Sequence, residues 1–113
     1  MARKSVTRTY SRFTREALKL LGQMIKLGRI ERKLTSQDLA DRAGISRDML
    51  VRVEKGDPKC GIGVVFELAT LVGVQLFDET SSSLTGYIKQ AEDKLALLPK
   101  AVHKKPGVVD DNF

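Results

Sequence analysis

The polar side chains between positions 36 and 59 suit gripping a polyanion better than making or breaking bonds. In the run Ile45 to Lys55, wound as a helix, Ile45, Leu50 and Val53 anchor one side. Arg47, Asp48, Val51 and Arg52 then fall on the other, with Lys55 at the end. A guanidinium is a permanently charged planar fork of donors. A helix pinned by one face and carrying such forks on the other can enter a groove about 12 Å wide.

Other chemistries have little to work with. His103 is the only histidine and lies in a polar tail, which argues against catalysis or metal binding through it. Cys60 is the only cysteine, so no internal disulfide can form, and a reducing compartment suits the chain. Gly56, Gly61 and Gly63 share one loop, but no Gly-Lys-Ser/Thr follows to make a phosphate loop. No paired carboxylates stand apart from the helix-surface charges. The expectation is no enzyme, no cofactor and no metal. No apolar run approaches the roughly 20 residues of a membrane span, so no membrane partner and a cytoplasmic location are expected.

The elements that must hold Arg47 and Arg52 can be read from periodicity and capping. From about Ser11 to near Lys33, the residues Ala17, Leu18, Leu21, Met24, Ile25 and Gly28 recur at three- and four-residue steps, and Leu20 and Leu27 widen that face. Thr35 followed by Asp38 predicts a capped start to a second helix, with Leu39, Ala40 and Ala43 on its apolar side. Ala40 is small, as a close crossing requires. Gly44 supplies the positive φ that ends this helix, Ile45 buries in the turn, and Ser46 caps the next helix. Gly56 ends that helix, and Asp57-Pro58 blocks continuation. Gly63 to Val72 is a fourth apolar helix. Val74 to Phe77 alternates weakly, as a short strand or an extended link would. Ser81 to Ser83 are candidate caps for a last helix, in which Leu84, Tyr87, Ile88, Ala91, Leu95 and Leu98 form a heptad-like stripe stopped by Pro99.

The expected architecture is all-α, a bundle of about five helices. It divides into a basic arm (1–10), a compact domain (11–79), a C-terminal helix (80–99) and a disordered tail (100–113). The 113 residues, 42% hydrophobic and 5% aromatic, suffice for one modest core. The net charge of +6 is unevenly spread. Residues 1–15 hold five basic side chains and no acid, residues 16–59 ten basic against seven acidic, and residues 60–113 five against seven. A basic first half beside a slightly acidic second half suggests one face for a polyanion and another for something else.

The run "ERKLTSQDLADRAGISRDMLVRVEKGDP" resembles the lambda-repressor-like, or XRE, helix-turn-helix family, and the likeness extends from about Leu21 to Glu79. It implies that Arg47, Asp48 and Arg52 stand at base-reading positions. Arg47 or Arg52 would pair bidentately with guanine, and Asp48 would accept from cytosine N4. Asp48 has a second reading, as a carboxylate in a first helical turn favoured by the helix dipole. Ser36, Gln37, Ser46, Lys55 and Lys59 are phosphate candidates, through side chains and helix N-terminal amides. Ser36 stands where the family often has a glutamine that reaches a phosphate, and serine reaches less far. Arg3, Lys4 and Arg8 match the arms that follow a minor groove or phosphates in related proteins, and simple solvation serves them equally well. Arg29 and Glu54 match a family ion pair tying the first helix to the end of the recognition helix.

"EKGDPKCGIGVVFELATLVGVQLFDE", followed by a helix ending in "LALLPK", is similar to the HipB-type antitoxins. That similarity implies a repressor that binds its own operator on double-stranded DNA and also holds a HipA-type serine/threonine kinase toxin. The 84–98 stripe is expected to form a homodimer seam, with Val74 to Phe77 contributing, or else to pack within the chain. Two other readings stand beside the antitoxin: a stand-alone phage-type or metabolic repressor, and a protein-binding adaptor that has lost DNA binding.

Overall fold

The computed structural model describes residues 9–77, 81–102 and 104. The arm residues Arg3, Lys4 and Arg8, and tail positions 103 and 105–113, lie outside them. Among the described residues five helices follow one another: α1 (Arg12–Glu31), α2 (Ser36–Ala43), α3 (Arg47–Glu54), α4 (Ile62–Leu71) and α5 (Ser81–Leu97). The architecture is all-α, and no strand occurs among the described residues. The chain forms two compact units, Met1–Leu76 with α1 to α4, and Phe77–Phe113 with α5.

Local chemistry accounts for the helix ends. The Ser11 hydroxyl accepts the Thr14 N–H at 3.2 Å and opens α1. At α2, the Thr35 hydroxyl accepts the Asp38 N–H and the Asp38 carboxylate accepts the Thr35 N–H, both at 3.0 Å. This reciprocal box satisfies two amides that no helical carbonyl can reach. Gly44 sits at φ 68°, in the left-handed region that stops α2.

The core of the first unit draws on every one of its helices: Ile25 from α1, Leu39 and Ala40 from α2, Leu50 and Val53 from α3, Leu68 and Ala69 from α4, and Val72 just beyond it. All eight are buried, and Leu21, Leu34, Ile45, Val64 and Val65 pack around them half-buried.

Two expectations are settled. Of the strand and the link read for Val74 to Phe77, the segment is a link and not a strand. The Val74 N–H is committed to the Ala69 carbonyl at 2.8 Å, closing the end of α4, and Val74 and Leu76 pack individually on the core. With no second strand beside it, the segment has no ladder to join. The apolar face of α1 is also not one face. Leu18, Leu21, Gly22, Ile25, Gly28 and Arg29 turn inward, whereas Ala17, Leu20, Met24 and Leu27 are exposed. Apolar residues surround much of this helix, so periodicity alone did not choose the buried side. The choice follows Gly22 and Gly28, where neighbouring backbone comes so close that a Cβ would stand 2.6 Å from the Val53 carbonyl oxygen and 2.9 Å from that of Val72.

In the second unit α5 runs to Leu97, and Leu84, Tyr87, Ile88, Ala91 and Leu95 along it and Leu98 just past its end are exposed.

Candidate nucleic-acid interface

Three residues, Gly44, Ile45 and Ser46, join α2 to α3. The Ile45 N–H donates to the Ala40 carbonyl at 3.0 Å, and the Ser46 hydroxyl accepts the Met49 N–H at 3.0 Å. The first bond folds the turn back onto α2, and the second starts α3 cleanly. With Ala40 fully buried at the crossing, the two helices meet at a fixed angle.

The hold on α3 is one-sided. Leu50 is wholly buried and Val53 nearly so. A second tether acts at its end, where Arg29 donates from Nε and Nη2 to the two oxygens of Glu54 at 2.8 and 3.2 Å. Arg29 Nη1 donates to the Leu34 carbonyl at 3.0 Å, so the guanidinium also braces the α1–α2 connection. Both side chains are about nine-tenths buried. A pair so enclosed gains its value from placing α3 rather than from net stability, because desolvation offsets much of the attraction.

Arg47 and Asp48 are exposed on the free side, and Arg47 makes no ion pair among the described residues. Val51 and Arg52 are half-buried beside them, and Lys55 is exposed at the C-cap. Arg52 is restrained: its Nε donates to Asp57 Oδ2 at 2.8 Å. The other oxygen of that carboxylate accepts the Lys59 N–H at 2.8 Å. The Lys59 amide, and then the Arg52 guanidinium, hold the Asp57 carboxyl below the usual aspartate range. Asp57 in turn raises Arg52 further above its ordinary value.

Residues 25–78 match the family described as helix-turn-helix. Over 54 residues the chain is 33% identical to an uncharacterized HTH-type transcriptional regulator of Methanocaldococcus jannaschii, a match spanning 48% of this chain and 82% of that one. The chain belongs to the helix-turn-helix family. No solved structure matches it. This helix-turn-helix protein is therefore a member of a group of DNA-binding regulators of transcription, and the matched span holds α2 to α4 whole with the last third of α1.

The remaining sequence candidates are spread around the helix-turn-helix. Ser36, half-buried, opens α2, and Gln37 next to it is exposed, its amide donating to Asp41 Oδ1 at 2.8 Å. The Ser46 hydroxyl is already used as a cap. Lys59 is exposed in the loop after α3.

Sequence reasoning missed three features of this helix-turn-helix protein. Asp57 looked like a helix stop and proves to be the partner of Arg52; an arginine five residues before an aspartate at a helix end was the available signal. Gly22 was passed over, although a glycine inside a helix costs about 1 kcal/mol against alanine and so hints at a close crossing. Third, Arg15 and Lys19 join Lys55 around one hollow of about 410 Å³, beside Tyr10, Gly56 and Pro58. Their juxtaposition depends on how α1 crosses the end of α3, which no local pattern encodes.

Among the described residues, no group of histidine, cysteine and carboxylate side chains is arranged to hold a metal ion, and no helix is long and apolar enough to cross a membrane.

Proposed function

We propose that this protein is a sequence-specific repressor that acts by occupying an operator, and that it is the antitoxin of a HipBA-type module. The observation that carries the first part is the exposed Arg47 on the side of α3 opposite buried Leu50 and Val53. Laid in the major groove, that side presents Arg47, Asp48 and the Asp57-held Arg52 to base edges. Ser36, Gln37, the α3 N-terminus at Ser46, Lys55 and Lys59 flank it and would meet phosphates. Arg15 and Lys19 join that set through the hollow they share with Lys55. Arg3, Lys4 and Arg8 would extend the grip along a groove.

A single small module buries too little surface for tight specific binding. The functional unit is a homodimer whose recognition helices, about 34 Å apart, read a palindrome. The exposed stripe Leu84, Tyr87, Ile88, Ala91, Leu95 and Leu98 on α5 supports this reading. The protein works in the cytoplasm, on the nucleoid when bound, and performs no chemistry itself. Its slightly acidic C-terminal half and the surfaces away from the groove would hold a serine/threonine kinase toxin, a role that rests on the likeness to HipB-type antitoxins.

A kinase-like reading frame overlapping or adjoining this gene is expected, and co-expression with it, together with a mobility-shift assay on the upstream promoter, tests both parts. Co-purification with the kinase and a salt-sensitive shift are expected. A shift with separate elution would leave a stand-alone repressor. No shift at all would point to an adaptor.

A further inference from the structure

Val51 is the apolar member of the outward side of α3. At about 100° per residue, Val51 and Arg52 each stand about 130° from the midline of the buried Leu50 and Val53, with Asp48 and Lys55 between them. Arg47 lies one turn before Val51 on the same side. Val51 is half-buried, yet it is not one of the half-buried side chains that pack on the core, as Ile45 in the turn before α3 is.

The needs of the helix do not call for a valine here. A β-branched side chain loses rotamer freedom in a helix, and glutamine, glutamate or lysine suits a position among charged neighbours better. A lone apolar group ringed by Arg47, Asp48, Arg52 and Lys55 is also no patch on which a protein partner could sit.

The DNA reading of α3 gives the position a partner. The side that presents Asp48 and Arg52 to base edges carries Val51 into the groove with them. Base edges in the major groove offer polar atoms and one apolar group, the C5 methyl of thymine. Valine has no donor or acceptor for the polar atoms. Its side chain is short, so it meets what projects from the base edges, and the thymine methyl does. In a helix its χ1 is held to one preferred rotamer, so its two methyls form a surface set before binding rather than ordered by it.

We propose that Val51 is a specificity-determining residue that packs on the C5 methyl of one thymine in each half-site, beside the base pairs read by Arg47 and Arg52. The inference rests on the operator-binding reading above and adds to it a preference that no hydrogen bond supplies.

Deoxyuridine differs from thymidine by that methyl alone, so it isolates the contact. The full chain and its Val51→Ala variant are titrated by fluorescence anisotropy against an operator selected from random duplexes. Each thymine of one half-site is replaced in turn by deoxyuridine. The parent protein is expected to lose affinity about fourfold at one thymine, the value of one buried methyl. Val51→Ala is expected to bind the thymidine and deoxyuridine forms of that position equally. It should melt with the parent, since alanine suits a helix better and no core contact is removed. A parent indifferent to deoxyuridine at every position would overturn the inference, as would a Val51→Ala variant that keeps the parent's loss. A clearly lower melting temperature for Val51→Ala would overturn it too, by making Val51 part of the packing. Each of these results leaves operator binding standing. A parent protein that selects no sequence from the random duplexes would remove the operator reading and this inference together.

Discussion

Asp57 Oδ2 lies 2.8 Å from Arg52 Nε, while its other oxygen takes the Lys59 amide proton. One carboxylate thus fixes both the guanidinium beside the recognition face and the first turn of the loop that follows it. A side chain so held approaches DNA with fewer conformations to give up, which favours selectivity. Asp57→Asn should lower discrimination at the base pair facing Arg52 by about 1 kcal/mol or more, within the range for a bidentate contact. Thermal stability near neutral pH should fall only slightly, because the pair is partly exposed and an amide oxygen can still take the Lys59 N–H. Binding to single-base variants of a selected operator measures the first, and thermal melting the second.

Acid should weaken the fold through Asp38 as well as Asp57. The Thr35 amide, then its hydroxyl, lowers the Asp38 pKa, as the Lys59 amide and Arg52 lower that of Asp57. Groups depressed in the folded state contribute fully above the unfolded aspartate value of about 3.9 and lose that contribution as pH falls through the lower folded value. Urea midpoints should therefore be flat with respect to these groups near neutrality and decline below about pH 4. The Asp38→Asn/Asp57→Asn variant should show a shallower decline.

Breaking the Arg29–Glu54 pair from one side should be costly. Glu54→Ala leaves a nine-tenths buried guanidinium with only the Leu34 carbonyl, and about 3–5 kcal/mol of unfolding free energy should be lost. Arg29→Met/Glu54→Leu should recover much of it. Urea unfolding of the two variants separates a costly orphan charge from a stabilising pair.

Much of this was legible in the chain, because it is written locally. Thr35 with Asp38, Gly44 in the turn and Ser46 before α3 each announce a helix end through a bond made within three or four residues. Leu50 and Val53 announce the buried side of α3, because Arg47 and Asp48 leave that helix only one apolar face. α1 lacks that contrast. It is apolar on two sides, and contacts with Val53 and Val72, dozens of residues away, decide between them. Of the two readings of 74–77, strand or extended link, the strand failed for the same reason, since a strand exists only if another pairs with it. Asp57 was visible as a residue but not as a partner, and the Arg15, Lys19 and Lys55 hollow exists only once helices cross.

The hollow gives a salt-dependence prediction. Lys19→Ala should reduce the slope of log affinity against log salt concentration by about one and weaken all DNA sequences alike. Lys26→Ala, also on α1 but away from the hollow, should leave the slope unchanged. Fluorescence anisotropy between low and moderate salt gives both slopes.

The claim beneath the whole account is that α3 meets DNA with its Arg47 side while Leu50 and Val53 hold it to the core. Its most direct test is the base-preference profile of Arg47→Ala, set against the parent protein and Lys55→Ala by selection from random duplexes. The account predicts that Arg47→Ala loses preference at one or two symmetry-related positions, and that Lys55→Ala keeps the full profile at lower affinity. An unchanged profile for Arg47→Ala would contradict it.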